Sequence, residues 1–218
     1  MTSTSAAPLT LSRTERLALC DLLLEVGPDA PTMCTGWSTR DLAAHLVVRE
    51  GRPDAAIGIM VPAMAGWTAK VQADAAKGEY ADLVARVRKG APRWNMMSIP
   101  SVDAQANVIE YYVHHEDVRR AAPEWAAREL DPAAVTELWS RLQKAGKFFA
   151  RRSPVGVVLV PNDGPDAGTE LRIKDGATSV TLRGPVGELV LALYGRVTAG
   201  LTVEGSEPDV EAFASYAR

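Results

Sequence analysis

Apolar residues recur at helical spacing along this 218-residue chain until about residue 152. Proline and glycine interrupt the pattern at several points and divide it into separate helical segments. The predicted helices cover residues 12–26, 38–51, 53–64, 79–89, 101–121 and 131–151. Several helices joined by loops are typical of an up-and-down bundle.

Two of these helices carry recognisable start signals. Ser12 and Glu15 have the spacing of a capping box, in which a hydroxyl and a carboxylate each bond a backbone N–H at the helix start. Ser38 can cap the next helix, and Asp41 suits the positive end of that helix. Cys20 lies on the apolar stripe of the first helix, which predicts a packing role.

The pattern changes after Ser153-Pro154. Four short β-branched or alternating runs predict strands, and two apolar segments among them predict helices. The predicted strands cover residues 155–160, 170–173, 178–182 and 201–204, and the predicted helices cover 185–193 and 208–216. We therefore predict an α+β protein, with a mainly helical domain at residues 1–152 and a small α+β domain at 153–218.

Composition excludes several classes of protein. With 47% hydrophobic and 23% charged residues, the chain is typical of a globular protein. A net charge of −3 and the lack of a long basic run argue against nucleic-acid binding. The apolar runs are too short to span a membrane, and Met1 to Pro8 does not resemble a signal peptide. We therefore expect a cytoplasmic protein whose two cysteines are thiols.

The three histidines, His45, His114 and His115, all lie on predicted helices. Glu110 and His114 are four residues apart on one helical face, so they can hold one ion together or form an ordinary surface pair. His115 points elsewhere and is expected to pack, to lie at the surface or to support a ligand. Asp117 can accept the ring N–H of His114 that faces away from a metal, whereas its neighbour Glu116 is expected to face solvent.

The surroundings of these residues resemble a known family. Residues 34–46 (CTGWSTRDLAAHL) and 110–118 (EYYVHHEDV) resemble the DinB-like superfamily, specifically its mycothiol-dependent maleylpyruvate isomerase branch. Residues 184–189, 194–196 and 203–205 resemble the small C-terminal domain of that branch. The resemblance implies an N-terminal four-helix bundle with a metal at one end, and His45, Glu110 and His114 as its ligands.

The resemblance also implies a low-molecular-weight thiol, such as mycothiol, as cofactor or co-substrate. Two imidazoles and a carboxylate leave a coordination position open for chemistry, and they accept zinc, nickel, iron or manganese, of which Zn²⁺ is expected first. We predict a metal-dependent thiol transferase or isomerase with an electrophilic substrate. A non-catalytic metal or thiol sensor and a small-ligand carrier are the alternatives, and both a monomer and a homodimer stay open.

Other residues near these motifs have weaker predicted roles. Arg196 resembles an arginine of the isomerase branch and is the candidate for binding a substrate carboxylate, although a cation at a helix end is an equal alternative. Arg40 and Arg49 are expected mostly on a solvated face, although Arg49 shares the face of His45. Trp37 is expected to anchor the loop before its helix, and Cys34 is the cysteine closest in sequence to the predicted site.

Overall fold

The structure, a computed structural model, describes residues 9–56 and 61–216. It combines α-helices with one four-stranded sheet, as predicted for an α+β protein. The helices are α1 Leu11–Val26, α2 Thr39–Gly51, α3 Pro53–Ala56, α4 Ala65–Ala75, α5 Tyr80–Lys89, α6 Pro100–Arg119, α7 Pro132–Phe149, α8 Val186–Leu193 and α9 Glu207–Tyr216. The strands are β1 Gly156–Pro161, β2 Leu171–Lys174, β3 Ser179–Gly184 and β4 Thr202–Glu204. No helix in the described ranges has both the length and the apolar character needed to cross a bilayer.

The chain forms two compact units that divide between Pro123 and Glu124. Strands do replace helices after residue 152, but α7 is grouped with the sheet rather than with the helices before it. Helix α7 packs on α8 and β2, and a Cβ built on Gly146 would lie only 2.6 Å from the side chain of Ile173. The domain boundary at residue 152 stays a prediction.

In the first unit, α1 packs along α6 and α5, and α2 packs on α4 and α5. Buried apolar side chains of α1, α2, α5 and α6 form the main core because each of these helices turns a stripe of such residues inward, and Val48, Ala55 and Val71 form a smaller, separate cluster. The main members of this core are Leu19, Cys20, Leu23, Leu42, Leu46, Leu83, Val84, Val87, Tyr111 and Val118. Cys20 is fully buried among them, which confirms its predicted packing role.

The two predicted helix starts have different outcomes. The cap at Ser38 is confirmed, and with Asp41 it forms a full capping box: the Asp41 N–H donates to the Ser38 hydroxyl and the Ser38 N–H donates to the Asp41 carboxylate. The box at Ser12 is wrong, because α1 starts earlier and Thr10 is its cap. The Ser12 hydroxyl is buried and donates instead to Asp103 of α6, at 2.9 Å.

The helix that begins at Pro53 is shorter than the predicted segment from Pro53 to Met64. Helix α3 ends at Ala56, and part of the predicted segment lies outside the described residues. Helix α4, at Ala65–Ala75, was not predicted from the sequence. Only two of its residues, Thr68 and Val71, are buried, so its apolar periodicity is weak.

In the second unit the strand order is β2-β1-β3-β4. Strands β1 and β3 are parallel and central, and β2 and β4 pair antiparallel with them at the two edges. All six residues of β1 are buried, as expected for a central strand that is covered on both faces. Helix α8 follows β3 and is buried throughout.

A buried network of polar groups joins α1, α2 and α6. The Arg16 guanidinium donates to both oxygens of Glu50, at 2.7 and 2.8 Å, and to Asp103, at 2.7 Å. Glu50 also accepts from the Tyr111 hydroxyl at 2.9 Å and from the Asn107 amide at 3.0 Å. Burial opposes the charge on Arg16, but these acidic partners outweigh it and raise the pKa of Arg16 above its usual value.

Replacing Arg16 with Met should destabilise the protein strongly. The substitution leaves Glu50 and Asp103 without their cation in a buried environment, which should reduce the free energy of unfolding by about 3–5 kcal/mol. Arg88→Met is the matched control, because Arg88 pairs with Asp21 at the surface and should contribute less than about 1 kcal/mol. Urea denaturation of the two variants measures the difference, and equal losses would contradict a structural role for the buried network.

Candidate metal centre

Three side chains from two helices converge in the first unit. His45 comes from α2, and Glu110 and His114 lie one turn apart on α6. The Nε2 atoms of both histidines lie 3.3 Å from the same oxygen, Glu110 Oε1. One donor atom from each of the three residues lies within 4.8 Å of the others. The structure thus brings together the three side chains that the resemblance implied as ligands.

Asp117 orients the ring of His114. Its Oδ2 atom lies 2.9 Å from His114 Nδ1, and the carboxylate is fully buried. The Cys34 thiol donates to the same oxygen at 3.1 Å, and the Met33 N–H donates to the Asp117 carbonyl. The ring of His114 is therefore held with its Nε2 atom toward Glu110. His114 and Asp117 are thus paired, as expected from their three-residue spacing on the helix.

His45 is held in a different way. Its ring lies 5.0 Å from that of Trp37 and 5.3 Å from that of His114, measured between centroids. Its Nδ1 atom is buried and has no hydrogen-bond partner among the described residues. Packing against Trp37, which follows the tight turn at Gly36, therefore takes the place of the carboxylate that orients His114. Trp37 also packs against the core of the first unit, and its ring contacts that of His45.

Arg49 is a part of this centre that the sequence analysis missed. It was expected mostly on a solvated face, but its side chain is only 17% exposed and its Nε atom lies 3.2 Å from Glu110 Oε1. Its guanidinium also donates to the Asn107 side chain and, at 3.2 Å, to the Ala106 carbonyl. The four-residue spacing from His45 was the available signal, because it directs Arg49 to the same face of α2.

The charges at this centre favour a cation. Burial lowers the pKa of His45, although its hydrogen bond to Glu110 opposes that change. Burial also opposes ionisation of Glu110, but His114, His45 and Arg49 outweigh it and hold the pKa of Glu110 well below its usual value. For His114, burial is outweighed by Asp117, Cys34 and Glu110, which together raise its pKa well above the usual value. His114 lies between two carboxylates, so a proton or a metal ion can balance their charge.

The two residues after His114 lie outside this set. His115 is buried, and its Nδ1 atom lies 2.7 Å from the Glu15 carboxylate on α1. Glu116 was expected to face solvent, and this is wrong. Its side chain is 1% exposed and accepts from Arg119 at 2.7 Å and from Arg120 at 2.6 Å. Helix α6 is buried around its whole circumference at this level, so its charged residues are paired rather than solvated.

Arg196 belongs to the second unit. It follows α8 and Gly195, whose positive φ of 67° allows the chain to turn there. The guanidinium donates to the Tyr194 carbonyl at 2.8 Å, and Arg196 lines a largely apolar cavity of about 330 Å³ with residues such as Leu201 and Phe213. A role for Arg196 in substrate binding stays a prediction.

A second set of donors shares His114. Cys34 Sγ, His114 Nδ1 and Asp117 Oδ2 also lie within 4.8 Å of one another. Their separations of 2.9 and 3.1 Å from the Asp117 oxygen are those of ordinary hydrogen bonds to a carboxylate. The imidazole of His114 therefore offers one nitrogen to each set. The set that contains His45 combines two imidazoles with a carboxylate, as catalytic zinc sites do.

The two cysteines should differ in reactivity toward alkylating reagents. Both are thiols, and burial raises the pKa of Cys20 to about 11, so very little of it is thiolate at pH 8. Cys34 is only half-buried. Peptide mapping after maleimide treatment of the native protein should show modification of Cys34 well before Cys20, and denaturation should remove the difference. Faster modification of Cys20 in the native protein would contradict its position in the core.

Comparison with known proteins identifies two solved structures of similar fold. One is the crystal structure of the mycothiol-dependent maleylpyruvate isomerase, with a TM-score of 0.58 and 16% identity over 91% of this chain and 92% of that chain. The other is a histidine-to-alanine mutant of the mycothiol-dependent maleylpyruvate isomerase, with a TM-score of 0.61 and 15% identity over the same shares. No protein-family model and no curated protein sequence matches. The chain thus has the fold of the mycothiol-dependent maleylpyruvate isomerase, which confirms at the level of fold the resemblance found in its sequence motifs.

Proposed function

We propose that this protein binds one divalent metal ion through His45, Glu110 and His114 and acts as a metal-dependent thiol transferase or isomerase. The observation that carries the proposal is the convergence of two imidazole Nε2 atoms on one carboxylate oxygen. Helices α1, α2, α5 and α6 would form the four-helix bundle of a DinB-like protein around this centre. Mycothiol, the thiol in the name of the structurally similar isomerase, is the first candidate for the cofactor.

The donor separations fit a small divalent ion. Two ligands that each lie about 2.0–2.1 Å from a tetrahedral zinc ion are about 3.3 Å apart. Each histidine Nε2 atom lies 3.3 Å from Glu110 Oε1, which matches that separation, and the donor atoms of all three residues lie within 4.8 Å of one another. Zn²⁺ is therefore the ion that we expect first. A bound ion of this kind would lower the pKa of a coordinated thiol, so that thiolate forms near neutral pH.

The residues around the ligands have separate roles in this proposal. Asp117 keeps the proton of His114 on Nδ1, so that the Nε2 lone pair is available to the ion. Arg49 holds Glu110 and places a positive charge beside the centre, where it favours an anionic thiol or substrate. Neither cysteine supplies the nucleophile, since the Cys34 thiol donates a hydrogen bond to Asp117 and Cys20 is fully buried in the core.

The metal content of histidine variants tests the ligand set. After loading with Zn²⁺ and removal of excess metal, the wild-type protein should hold about one ion per chain. His45→Gln and His114→Gln should lose that ion, because each removes one of three protein ligands. His115→Gln is the matched control, since His115 neighbours His114 in sequence but contacts Glu15 instead. Elemental analysis of the three variants provides the measurement.

Loss of the ion from His115→Gln alone, with His45→Gln and His114→Gln still loaded, would overturn the ligand set. Circular dichroism of each variant checks that it is folded, so that loss of the ion is not a result of unfolding. A wild-type protein that holds no ion after loading would contradict the proposed function as a whole.

Binding of the thiol should require the metal but neither cysteine. Calorimetric titration with mycothiol should give a saturable signal with the metal-loaded protein and none with the metal-free protein. A variant with both Cys20→Ser and Cys34→Ser should bind mycothiol with an affinity close to that of wild type, because the thiol comes from the cofactor. Binding that is independent of metal, or lost with the cysteines while the metal is retained, would contradict this mechanism.

A further inference from the structure

A cleft in the first unit is separate from the candidate metal centre. It has a volume of about 610 Å³ and lies among the end of α2, the helices α4 and α5, and the segment after α5. Its apolar wall is formed by Val47, Val48, Trp67, Val71, Ala75, Val87 and Pro92. His45, Glu110 and His114 are not among its lining residues, because α2 turns His45 toward α6 and turns Val47 and Val48 toward the cleft.

The charged residues of the cleft are mainly basic, although the chain as a whole carries a charge of −3. The lining includes four cationic side chains, Arg52, Lys70, Arg86 and Lys89, and two acidic ones, Glu50 and Asp74. The two acids are engaged elsewhere, since Glu50 binds Arg16 and Asp74 binds Lys77 at 2.6 Å. The cleft therefore has a local excess of positive charge.

Two of these cations are available to a ligand. Arg52 pairs with Asp54 at 2.8 Å, and Lys70 lies near Asp74. Arg86 and Lys89 make no side-chain hydrogen bond or ion pair with any residue in the described ranges 9–56 and 61–216. Both lie in the last turn of α5, on the same side of the cleft. An anionic group placed there would meet two positive charges that lack an acidic partner within the described chain.

The wall formed by α4 carries an exposed aromatic side chain. Trp67 is 43% exposed, and Trp67, Val71 and Asp74 follow one another at helical spacing on the face of α4 that lines the cleft. An indole in this position presents a flat apolar surface on which a ring can stack. The cleft volume lies within the range of about 300–1,000 Å³ that is usual for small-molecule sites.

We propose that this cleft binds a small organic anion with a flat apolar body, such as an aromatic carboxylate or sulfonate. The apolar body packs against Trp67 and Val71, and the anionic group bonds to Arg86 and Lys89. This inference does not depend on the proposed metal chemistry, because none of the three candidate metal ligands lines the cleft.

Fluorescence titration with anilinonaphthalene sulfonate, an aromatic anion, tests the proposal on the full chain. The dye should bind at one saturable site, and benzoate should displace it. A variant with Arg86→Gln and Lys89→Gln should raise the Kd of the dye about tenfold or more, a change of about 1.4 kcal/mol. Arg88→Gln is the matched control, because Arg88 lies on the same helix but pairs with Asp21 and does not line the cleft.

Trp67→Ala should also weaken binding of the dye, whereas His45→Gln should leave it unchanged, which separates this site from the metal centre. Phenylnaphthylamine, the uncharged analogue of the dye, should bind wild type more weakly and should be insensitive to the loss of Arg86 and Lys89. Equal Kd values for the dye in the double variant and in Arg88→Gln would overturn the anion site. A dye affinity unaffected by Trp67→Ala would contradict the proposed stacking of the ligand on Trp67.

Discussion

The candidate metal centre depends on the register of α2 against α6, and a buried polar network holds that register. Arg16 on α1 binds Glu50 on α2 and Asp103 on α6, and Glu50 also accepts from Asn107. Asn107 in turn accepts from Arg49, which holds Glu110. A buried ion pair contributes little net stability compared with apolar packing, but it permits few alternative arrangements of its partners. We infer that its main contribution here is a fixed alignment of His45 with Glu110 and His114.

The two histidines of the centre are positioned by different means, and the difference matters for its chemistry. Asp117 orients the ring of His114 through a hydrogen bond, whereas His45 is placed by ring packing against Trp37. The carboxylates of Asp117 and Glu110 flank His114, so their negative charge favours a cation at the centre. Arg49 balances part of that charge at Glu110. In the proposed function, the same guanidinium would favour an anionic thiol or substrate beside the ligands.

Local signals made part of this structure predictable. The start of α2 follows from Ser38 and Asp41, and the pairing of Glu110 with His114 follows from their spacing on one helix. Features that depend on packing between distant segments were missed or were wrong. Ser12 does not cap α1, because its hydroxyl donates to Asp103 of α6. Glu116 is buried because other helices surround this part of α6, where Arg119 and Arg120 pair with its carboxylate. The packing of α7 on α8 and β2 also involves contacts that helical periodicity does not reveal.

The absorption spectrum of the Co²⁺-substituted protein tests the central claim most directly, because it distinguishes nitrogen and oxygen ligands from sulfur. If His45, Glu110 and His114 hold the ion, the spectrum should lack a sulfur-to-cobalt charge-transfer band until mycothiol is added. That band should then appear equally in wild type and in Cys34→Ser. A charge-transfer band present before mycothiol is added, and absent from Cys34→Ser, would instead place the ion at Cys34, His114 and Asp117 and contradict the account.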